Sequence, residues 1–201
     1  MRRLLSIFIM SLGLLTTQAL DAAPLDFGLD WGASASLLKV SHSNFNDDMG
    51  SRVDLRETRF GVYANGYVMA RFGIYINDYV RMDVKSGFMG IEDGRRIVPV
   101  LIRANVMPSG YFSDGIVYFL DAGAGLHPGD IKSLSWLASA GAGYRKALCG
   151  KTGLNFLLNA RFVTDNPPIR NADGGGYVPE SSIRKNVAGY LSIGIGISLD
   201  F

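Results

Sequence analysis

The sequence predicts an all-β protein, an eight-stranded antiparallel up-and-down transmembrane β-barrel. Three observations carry this prediction. Apolar side chains alternate with polar or small ones along strand-length segments, short and long turn-rich links alternate between those segments, and the chain begins with an export signal. No segment after the signal reaches the roughly 18 consecutive apolar residues of a helical span. Glycine stands at 25 of 201 positions, well above the usual share of about 7%, which indicates crowded and strongly bent strands.

Residues 1–23 are predicted to be a signal peptide. Arg2 and Arg3 form a basic start, residues 4–15 form an apolar core, and small residues allow cleavage near Ala19 to Ala23. The alternative is a retained N-terminal anchor, for which the apolar run is short. The predicted organisation is therefore a leader over residues 1–23 and one barrel domain over residues 24–201.

Eight segments have the length and composition of strands. They are residues 25–40, 58–73, 78–90, 95–107, 115–126, 134–147, 152–164 and 184–201, each long enough to cross a bilayer when tilted. The links between them alternate in character: those at 76–78, 108–115 and 149–151 are turn-rich and form one set, and those at 41–57 and 165–185 are long and polar and form a second set, of which 93–94 and 127–130 are shorter members. With the N-terminus in the periplasm, both long links would lie outside the cell.

The last predicted strand shows the alternation most clearly. One face carries only apolar residues, namely Leu191, Ile193, Ile195, Ile197, Leu199 and Phe201, and the other carries serine, glycine and Asp200. In a soluble protein such an edge would invite pairing with other chains. The closing strand of a membrane barrel instead has a neighbour on each edge and lipid against its apolar face.

Alternation alone does not say which face points inward, because a soluble barrel would simply reverse the two faces. The export signal favours the membrane arrangement. Aromatic residues also gather at the predicted inner rim, as in an interfacial girdle: Phe27, Phe72, Tyr75, Tyr79, Tyr111, Phe112 and Phe201. The polar face is rich in glycine, which suits a narrow lumen. A soluble exported barrel or sandwich remains the alternative.

The alternation places six cations and four anions on the predicted lumen face. These residues are Asp26, Asp30, Arg71, Arg81, Asp83, Lys85, Arg103, Asp121, Arg145 and Arg161. An eight-stranded barrel is just wide enough for side chains to fill it, so a network of ion pairs across the lumen is the favoured interpretation. The excess of two cations keeps a second interpretation open, a narrow porin-like passage that favours anions.

Other chemistry finds little support in the sequence. The net charge of +2 and the predicted export argue against a nucleic-acid partner, and the single Cys149 excludes an intramolecular disulfide. The oxygen-rich stretch of Asn44, Asn46, Asp47 and Asp48 lacks EF-hand spacing, and the paired glycines at 123–125 and 141–143 lack the nucleotide-binding context. No metal or cofactor is therefore predicted.

Two histidines leave an enzymatic alternative open. His42, between Ser41 and Ser43, lies in the first predicted outer link and His127 lies in another. Both would face the same side of the membrane, so a lipid-directed hydrolase such as a lipid A-modifying enzyme is geometrically possible. A catalytic triad is a spatial arrangement that sequence proximity does not establish, and two ordinary loop histidines are the favoured interpretation.

Several segments together give the chain a family resemblance. They are residues 60–64 (FGVYA), 76–80 (INDYV), 97–103 (IVPVLIR), 120–125 (LDAGAG) and the terminal strand that ends in Phe201. The chain resembles the small outer-membrane β-barrel proteins described as porin-like or OmpA/OmpX-like, especially the β-barrel domain family of Bacteroidetes-type bacteria. The resemblance implies a location in the outer membrane, contact with its lipid, and a C-terminal strand that the barrel assembly machinery recognises.

The expected function follows from this interpretation. We expect a protein without catalytic activity that has a structural, adhesive or recognition role. That role would use the two long outer links, 41–57 and 165–185, which could contact an extracellular ligand.

Overall fold

A closed barrel of eight antiparallel strands forms the fold, and each strand pairs with the next while the last returns to the first. The computed structural model describes residues 25–47, 49–92, 94–128, 130–149, 152–171 and 176–201. The strands are β1 (Leu25–Asn46), β2 (Arg52–Tyr75), β3 (Val80–Glu92), β4 (Arg95–Val106), β5 (Gly115–His127), β6 (Asp130–Cys149), β7 (Thr152–Asp165) and β8 (Ile183–Asp200). The predicted fold class is confirmed. The predicted signal peptide, residues 1–23, lies outside the described residues.

The end of the barrel that carries Leu25 and Asp200 is called the inner end, and the opposite end is the outer end. At the inner end, the Asn77 side-chain oxygen accepts hydrogen bonds from the N–H groups of Tyr79 (2.9 Å) and Val80 (2.8 Å). This closed turn ends β2 and starts β3. Within the described ranges, no helix is both long and apolar enough to cross a membrane.

The predicted outer link 41–57 is wrong in its boundaries. Strand β1 continues to Asn46 and β2 begins at Arg52, and these two residues face each other in the ladder. The connection spans only residues 47–51, where Asp47 Oδ1 accepts hydrogen bonds from the N–H groups of Met49 and Ser51. The sequence suggested a loop because both faces of this hairpin carry polar side chains, so the alternation that marks a half-buried strand is missing.

This hairpin is part of a three-stranded extension that we call the outer flap. It consists of residues 38–46 of β1, 52–60 of β2 and 183–191 of β8, and β1 lies in the middle, paired on both sides. A β-bulge between Ser36 and Leu38 marks its base. The pairing of β2 with β3 runs only from Tyr67 to Tyr75. The flap therefore projects beyond the point where the opposite wall of the barrel ends.

The second long link agrees more closely with its prediction of 165–185. It runs from Asn166, after the end of β7, to Ser182, before β8. It contains an isolated bridge between Arg170 and Tyr177 and a short 3-10 helix at Glu180–Ser182. Its residues 172–175 lie outside the described part of the chain.

The structure resolves which face of the sheet points inward. The aliphatic stripe of β8 lies on the outside, where Ile195 is 64% exposed, while Asp26, Asp83 and Arg145 are buried inside. The same outward apolar surface continues on the other strands through Ile102, Leu158 and others. The alternative of a soluble barrel with an apolar interior is therefore wrong.

Two members of the predicted aromatic rim do not belong to it. Tyr75 and Tyr111 are buried in the lumen, with ring centroids 4.0 Å apart. Tyr75 is four residues from Arg71 on β2, so both side chains point to the lumen. Tyr111 lies in the link after β4, and its N–H donates to Asp78 O (2.8 Å), which holds this link against the inner end of the barrel. The others lie at the surface near the inner end: Phe27, Phe72, Tyr79, Phe112 and Phe201.

Glycines let the strands and the lumenal side chains approach each other. A Cβ at Gly32 would overlap the carbonyl oxygen of Ile195 and lie 2.7 Å from the Tyr67 hydroxyl oxygen. By contrast, a Cβ at Gly66, on the neighbouring strand, would lie 3.7 Å from its nearest atom, the carbonyl oxygen of Gly32. The two positions form a matched pair that differs in crowding.

We expect Gly32→Ala to lower the free energy of unfolding by about 3 kcal/mol, because the added methyl group has no room in the wall of the barrel. Gly66→Ala should change it by less than about 0.5 kcal/mol. Guanidinium unfolding in lipid vesicles, followed by tryptophan fluorescence, measures both. Equal losses in the two variants would contradict the crowding argument.

Candidate functional site

The candidate site is the lumen, where charged side chains from strands all around the barrel meet. The structure places all ten of the predicted lumenal charges inside, and all are buried. Strand pairing explains why they meet: Arg103 on β4 lies directly opposite Asp121 on β5, and Gly28 on β1 lies between Arg71 on β2 and Asp200 on β8. The charges divide into two clusters along the barrel axis.

The first cluster lies at the inner end and is centred on Asp200. The carboxylate of Asp200 pairs with the guanidinium groups of Arg71 and Arg145 and accepts a hydrogen bond from the Tyr111 hydroxyl (2.8 Å). Arg81 joins it through Asp26, with Nη1 2.7 Å from Asp26 Oδ2. Each carboxylate in this cluster therefore faces more than one donor, which compensates its removal from water.

Asp83 and Asn105 complete the inner cluster. Arg81 Nε lies 2.8 Å from Asp83 Oδ1, and the Asn105 amide donates to Asp83 Oδ2 (2.7 Å). Arg71 Nη1 also approaches Asp83 Oδ2, at 3.3 Å. Asp83 therefore has two guanidinium groups and one amide as partners.

The second cluster lies farther along the lumen. Lys85 Nζ lies 2.6 Å from Asp30 Oδ2, and Arg103 binds Asp121 through both Nε (2.5 Å) and Nη2 (2.8 Å). The Ser139 hydroxyl donates to Asp121 Oδ2 (2.7 Å). Arg71 Nε lies 3.6 Å from Asp30 Oδ1 and connects this cluster with the inner one. The bidentate pair of Arg103 and Asp121 is the geometry that a guanidinium group prefers.

Arg161 stands apart from both clusters. Among the described residues, no carboxylate lies within ion-pair distance of it; its Nη1 lies 2.8 Å from Met89 Sδ and its guanidinium carbon 4.9 Å from the Tyr67 ring centroid. The cation–π contact with Tyr67 partly compensates the burial of this charge.

Sequence reasoning missed Asp200, the centre of the inner cluster. With Asp200 the two clusters and Arg161 together hold six cations and five anions, so the cationic excess of this group falls from two to one. The signal was present in the alternation, since Asp200 shares its parity with Ser192 and Ser198, which also face the lumen. Tyr111 was assigned to the rim because a link residue has no strand parity to place it.

A second network crosses the outer part of the lumen. Lys39 Nζ lies 2.8 Å from Glu92 Oε2, and the Tyr190 hydroxyl donates to the same oxygen (3.0 Å). Arg95 Nε lies 2.7 Å from Asp165 Oδ2. Between this network and the charged clusters lie buried apolar and aromatic side chains, including Tyr67, Met69, Met89, Ile97, Leu101 and Val163. Side chains thus occupy the lumen at every level.

The arrangement around His127 differs from that of a catalytic triad. Its Nε2 lies 2.7 Å from Asp165 Oδ1 and 3.1 Å from Ser135 Oγ, while Nδ1 lies 3.1 Å from the carbonyl oxygen of Arg96. In a triad the acid and the nucleophile contact opposite ring nitrogens, whereas here both contact Nε2. Ser135 is fully buried as well. His42 lies elsewhere, on the outer flap, 2.9 Å from Asp54 Oδ1.

The oxygen-rich stretch near the flap tip has structural partners. Asn44 donates to Asp54 Oδ2 (3.0 Å) and Asp47 closes the turn. Within the described part of the chain, no three His, Cys, Asp or Glu residues come together as metal ligands would. Asp48 and the side chain of Cys149 lie outside the described atoms.

The terminal strand closes the barrel. Its stripe of Leu191, Ile193, Ile195, Ile197 and Leu199 lies on the outer surface, and the backbone N–H of Phe201 donates to Phe27 O (2.8 Å) on β1. The same strand carries Asp200 into the lumen. Barrel closure and the inner charge cluster therefore depend on the same few residues.

We expect Asp200→Asn to lower the free energy of unfolding by roughly 3–5 kcal/mol, because Arg71 and Arg145 would lose a shared carboxylate in a buried site. Combining it with Arg145→Gln should cost less than the sum of the two single losses, since the residues interact directly. Chemical unfolding in lipid vesicles measures both effects.

Asp114→Asn is the matched control. Hydrogen bonds from the Lys146 ammonium group and from the Ala147 N–H lower the pKa of Asp114, but water solvates this exposed pair and an exposed pair contributes little. The control should unfold as the parent does. A similar loss in Asp114→Asn and Asp200→Asn would contradict the central place of Asp200.

Comparison with known proteins gives a likeness in structure but none in sequence family. No protein-family model and no curated protein matches the chain. The crystal structure of the outer membrane protein OprG from Pseudomonas aeruginosa is similar to it, with 13% sequence identity, a TM-score of 0.48, and coverage of 89% of this chain and 97% of that one. The fold assignment rests on the strand pairing described above.

Proposed function

We propose that the protein is an outer-membrane barrel without catalytic activity that presents its outer flap and the link 166–182 to the cell exterior. One observation carries this proposal: the barrel is apolar outside and ionic inside. Ile102 on β4, Trp136 on β6, Leu158 on β7 and Ile195 on β8 each expose more than half of their surface. Soluble proteins rarely expose a continuous apolar surface of this extent, and lipid is the solvent that suits it.

Export and assembly belong to the same proposal. Residues 1–23 would direct the chain out of the cytoplasm. The outward stripe of β8 and its final Phe201 would then be the segment that the barrel assembly machinery recognises, as the resemblance to small outer-membrane barrels implies. The exposed side chain of Phe201 at the inner end supports this role, since it is accessible in the folded chain.

A structural lumen fits the geometry better than a channel. Ion pairs and apolar side chains occupy the lumen, and an eight-stranded barrel offers room for little else. The charge excess that favoured an anion passage falls to one cation once Asp200 is included.

The parts available for recognition lie at the outer end. The link 166–182 exposes Tyr177, whose ring lies 5.8 Å from the guanidinium carbon of Arg170. The flap exposes polar side chains on both faces. These surfaces could contact an extracellular ligand, whereas the contacts of His127 fit a structural role within the wall.

Heat-modifiable gel migration together with membrane fractionation tests the location. The protein should fractionate with the outer membrane, stay folded in cold detergent, and shift its migration on boiling, because its eight strands close into a ring of paired strands. A soluble periplasmic protein without a heat-dependent shift would overturn the proposal.

Planar-bilayer conductance tests the choice between a structural lumen and a channel. We expect no resolvable conductance steps, and Arg161→Gln should leave that result unchanged. Steps that favour anions in the parent protein and disappear in Arg161→Gln would establish the channel instead. Asp114→Asn, which alters a charge outside the lumen, serves as the control.

A further inference from the structure

The outer surface of the barrel carries an apolar groove at the base of the outer flap. Its centre is Gly189 on β8, which pairs with Val40 on β1 and has the Phe162 ring of β7 beside it; a Cβ at Gly189 would lie 3.1 Å from Phe162 Cε2. Leu38, Val187 and Leu191 complete the apolar walls, and the cavity has a volume of about 290 Å³. Its shape and lining suit a hydrocarbon chain.

The outer end of this groove becomes cationic. His42 and Lys185 line it there. Arg56 faces His42 across the ladder, and Arg52 Nε donates to Asn44 Oδ1 (3.3 Å) on the same face of the flap. The apolar walls and the cations therefore lie on a single outward face, and the cations are closer to the outer end of the barrel.

One carboxylate, that of Asp54, lies on this face among the described flap residues. It is already engaged by His42 (2.9 Å) and by the Asn44 amide (3.0 Å). The hydrogen bond from His42 lowers the pKa of Asp54, so the carboxylate is ionised at neutral pH. Arg52, Arg56 and Lys185 still exceed it by two positive charges, so the face complements an anion.

We propose that this face binds a phosphate-bearing lipid, with an acyl chain in the groove over Gly189 and the phosphate at Lys185, Arg56 and His42. Arginine and lysine bind phosphate through charge-assisted hydrogen bonds, and the change from apolar to cationic surface matches the change from acyl chain to headgroup. The inference rests on the proposed membrane location and specifies the lipid that the flap would hold. An extended peptide would need no hydrocarbon groove below the cations.

Native mass spectrometry of the purified full chain in detergent micelles tests the site. The probes are bisphosphorylated lipid A, the same glycolipid without its phosphates, and inorganic phosphate. We expect Lys185→Gln and Arg56→Gln each to weaken binding of the phosphorylated lipid about fivefold, the usual effect of one cation near an anionic headgroup. Gly189→Leu should weaken the binding of both lipids, because the leucine side chain would fill the groove.

Two control variants match these changes elsewhere on the barrel. Arg96→Gln removes an exposed cation from the outer end of β4, and Ala122→Leu adds a leucine side chain to the exposed face of β5, which does not line the groove; neither should alter lipid binding. Equal losses in Arg96→Gln and Lys185→Gln would overturn the site, because they would indicate a diffuse charge effect.

Two further results would also overturn the proposal. One is equal binding of the phosphorylated and dephosphorylated lipids, and the other is full displacement of the lipid by inorganic phosphate at equal concentration. The heat-dependent gel shift, recorded for every variant, separates the two proposals: a protein that keeps its shift but shows no preference for the phosphorylated lipid retains the proposed location and lacks this site.

Discussion

The pairing of buried charge is the constraint on which this structure depends. The two charge clusters and Arg161 bring eleven charged side chains into a lumen that an eight-stranded barrel leaves barely wide enough for them. An unpaired charge in such a place costs several kcal/mol, so the strands must bring acids and bases together. Several glycines serve this end. A Cβ at Gly28 or Gly153 would overlap the guanidinium group of Arg71 or Arg145, respectively. The glycine-rich face is therefore the space that the ion pairs occupy.

The same charges fix the register of the strands. Arg103 faces Asp121 directly in the β4–β5 ladder, and both point inward. A slip of one residue would turn Arg103 towards the apolar outer surface and would turn an apolar neighbour into the lumen. Such a slip would raise the free energy of the fold in two ways, because apolar side chains would leave the outer surface and the ion pairs of the lumen would be broken. We infer that the charged lumen contributes to the specificity of the fold, a role that some buried ionic groups have in other proteins.

The strand number and antiparallel order could be predicted from the strand-length segments and the turn-rich links between them, and the ten lumenal charges from the period of two within the strands. Alternation alone did not give the direction of the two faces, since it looks the same after inversion; the export signal, the aromatic rim and the glycine-rich face were needed for that prediction. The flap was hidden for a related reason: Asn44 and Asp54 are polar because water reaches both sides of the hairpin there, so its sequence looks like that of a loop. Tyr111 lay beyond prediction because it reaches the lumen from a link, where no periodicity applies.

The flap also explains how a long strand edge can project beyond the barrel. Residues 52–66 of β2 pair with β1 alone in the described structure, and an edge of that length is a template for unwanted pairing. Charged side chains interrupt it at Arg52, Asp54, Arg56, Glu57 and Arg59. These charges oppose the approach of another strand, which leaves the broad faces of the flap as its contact surfaces. Two of the cations that keep this edge unpaired, Arg52 and Arg56, also lie on one face of the flap, where they can bind an anion.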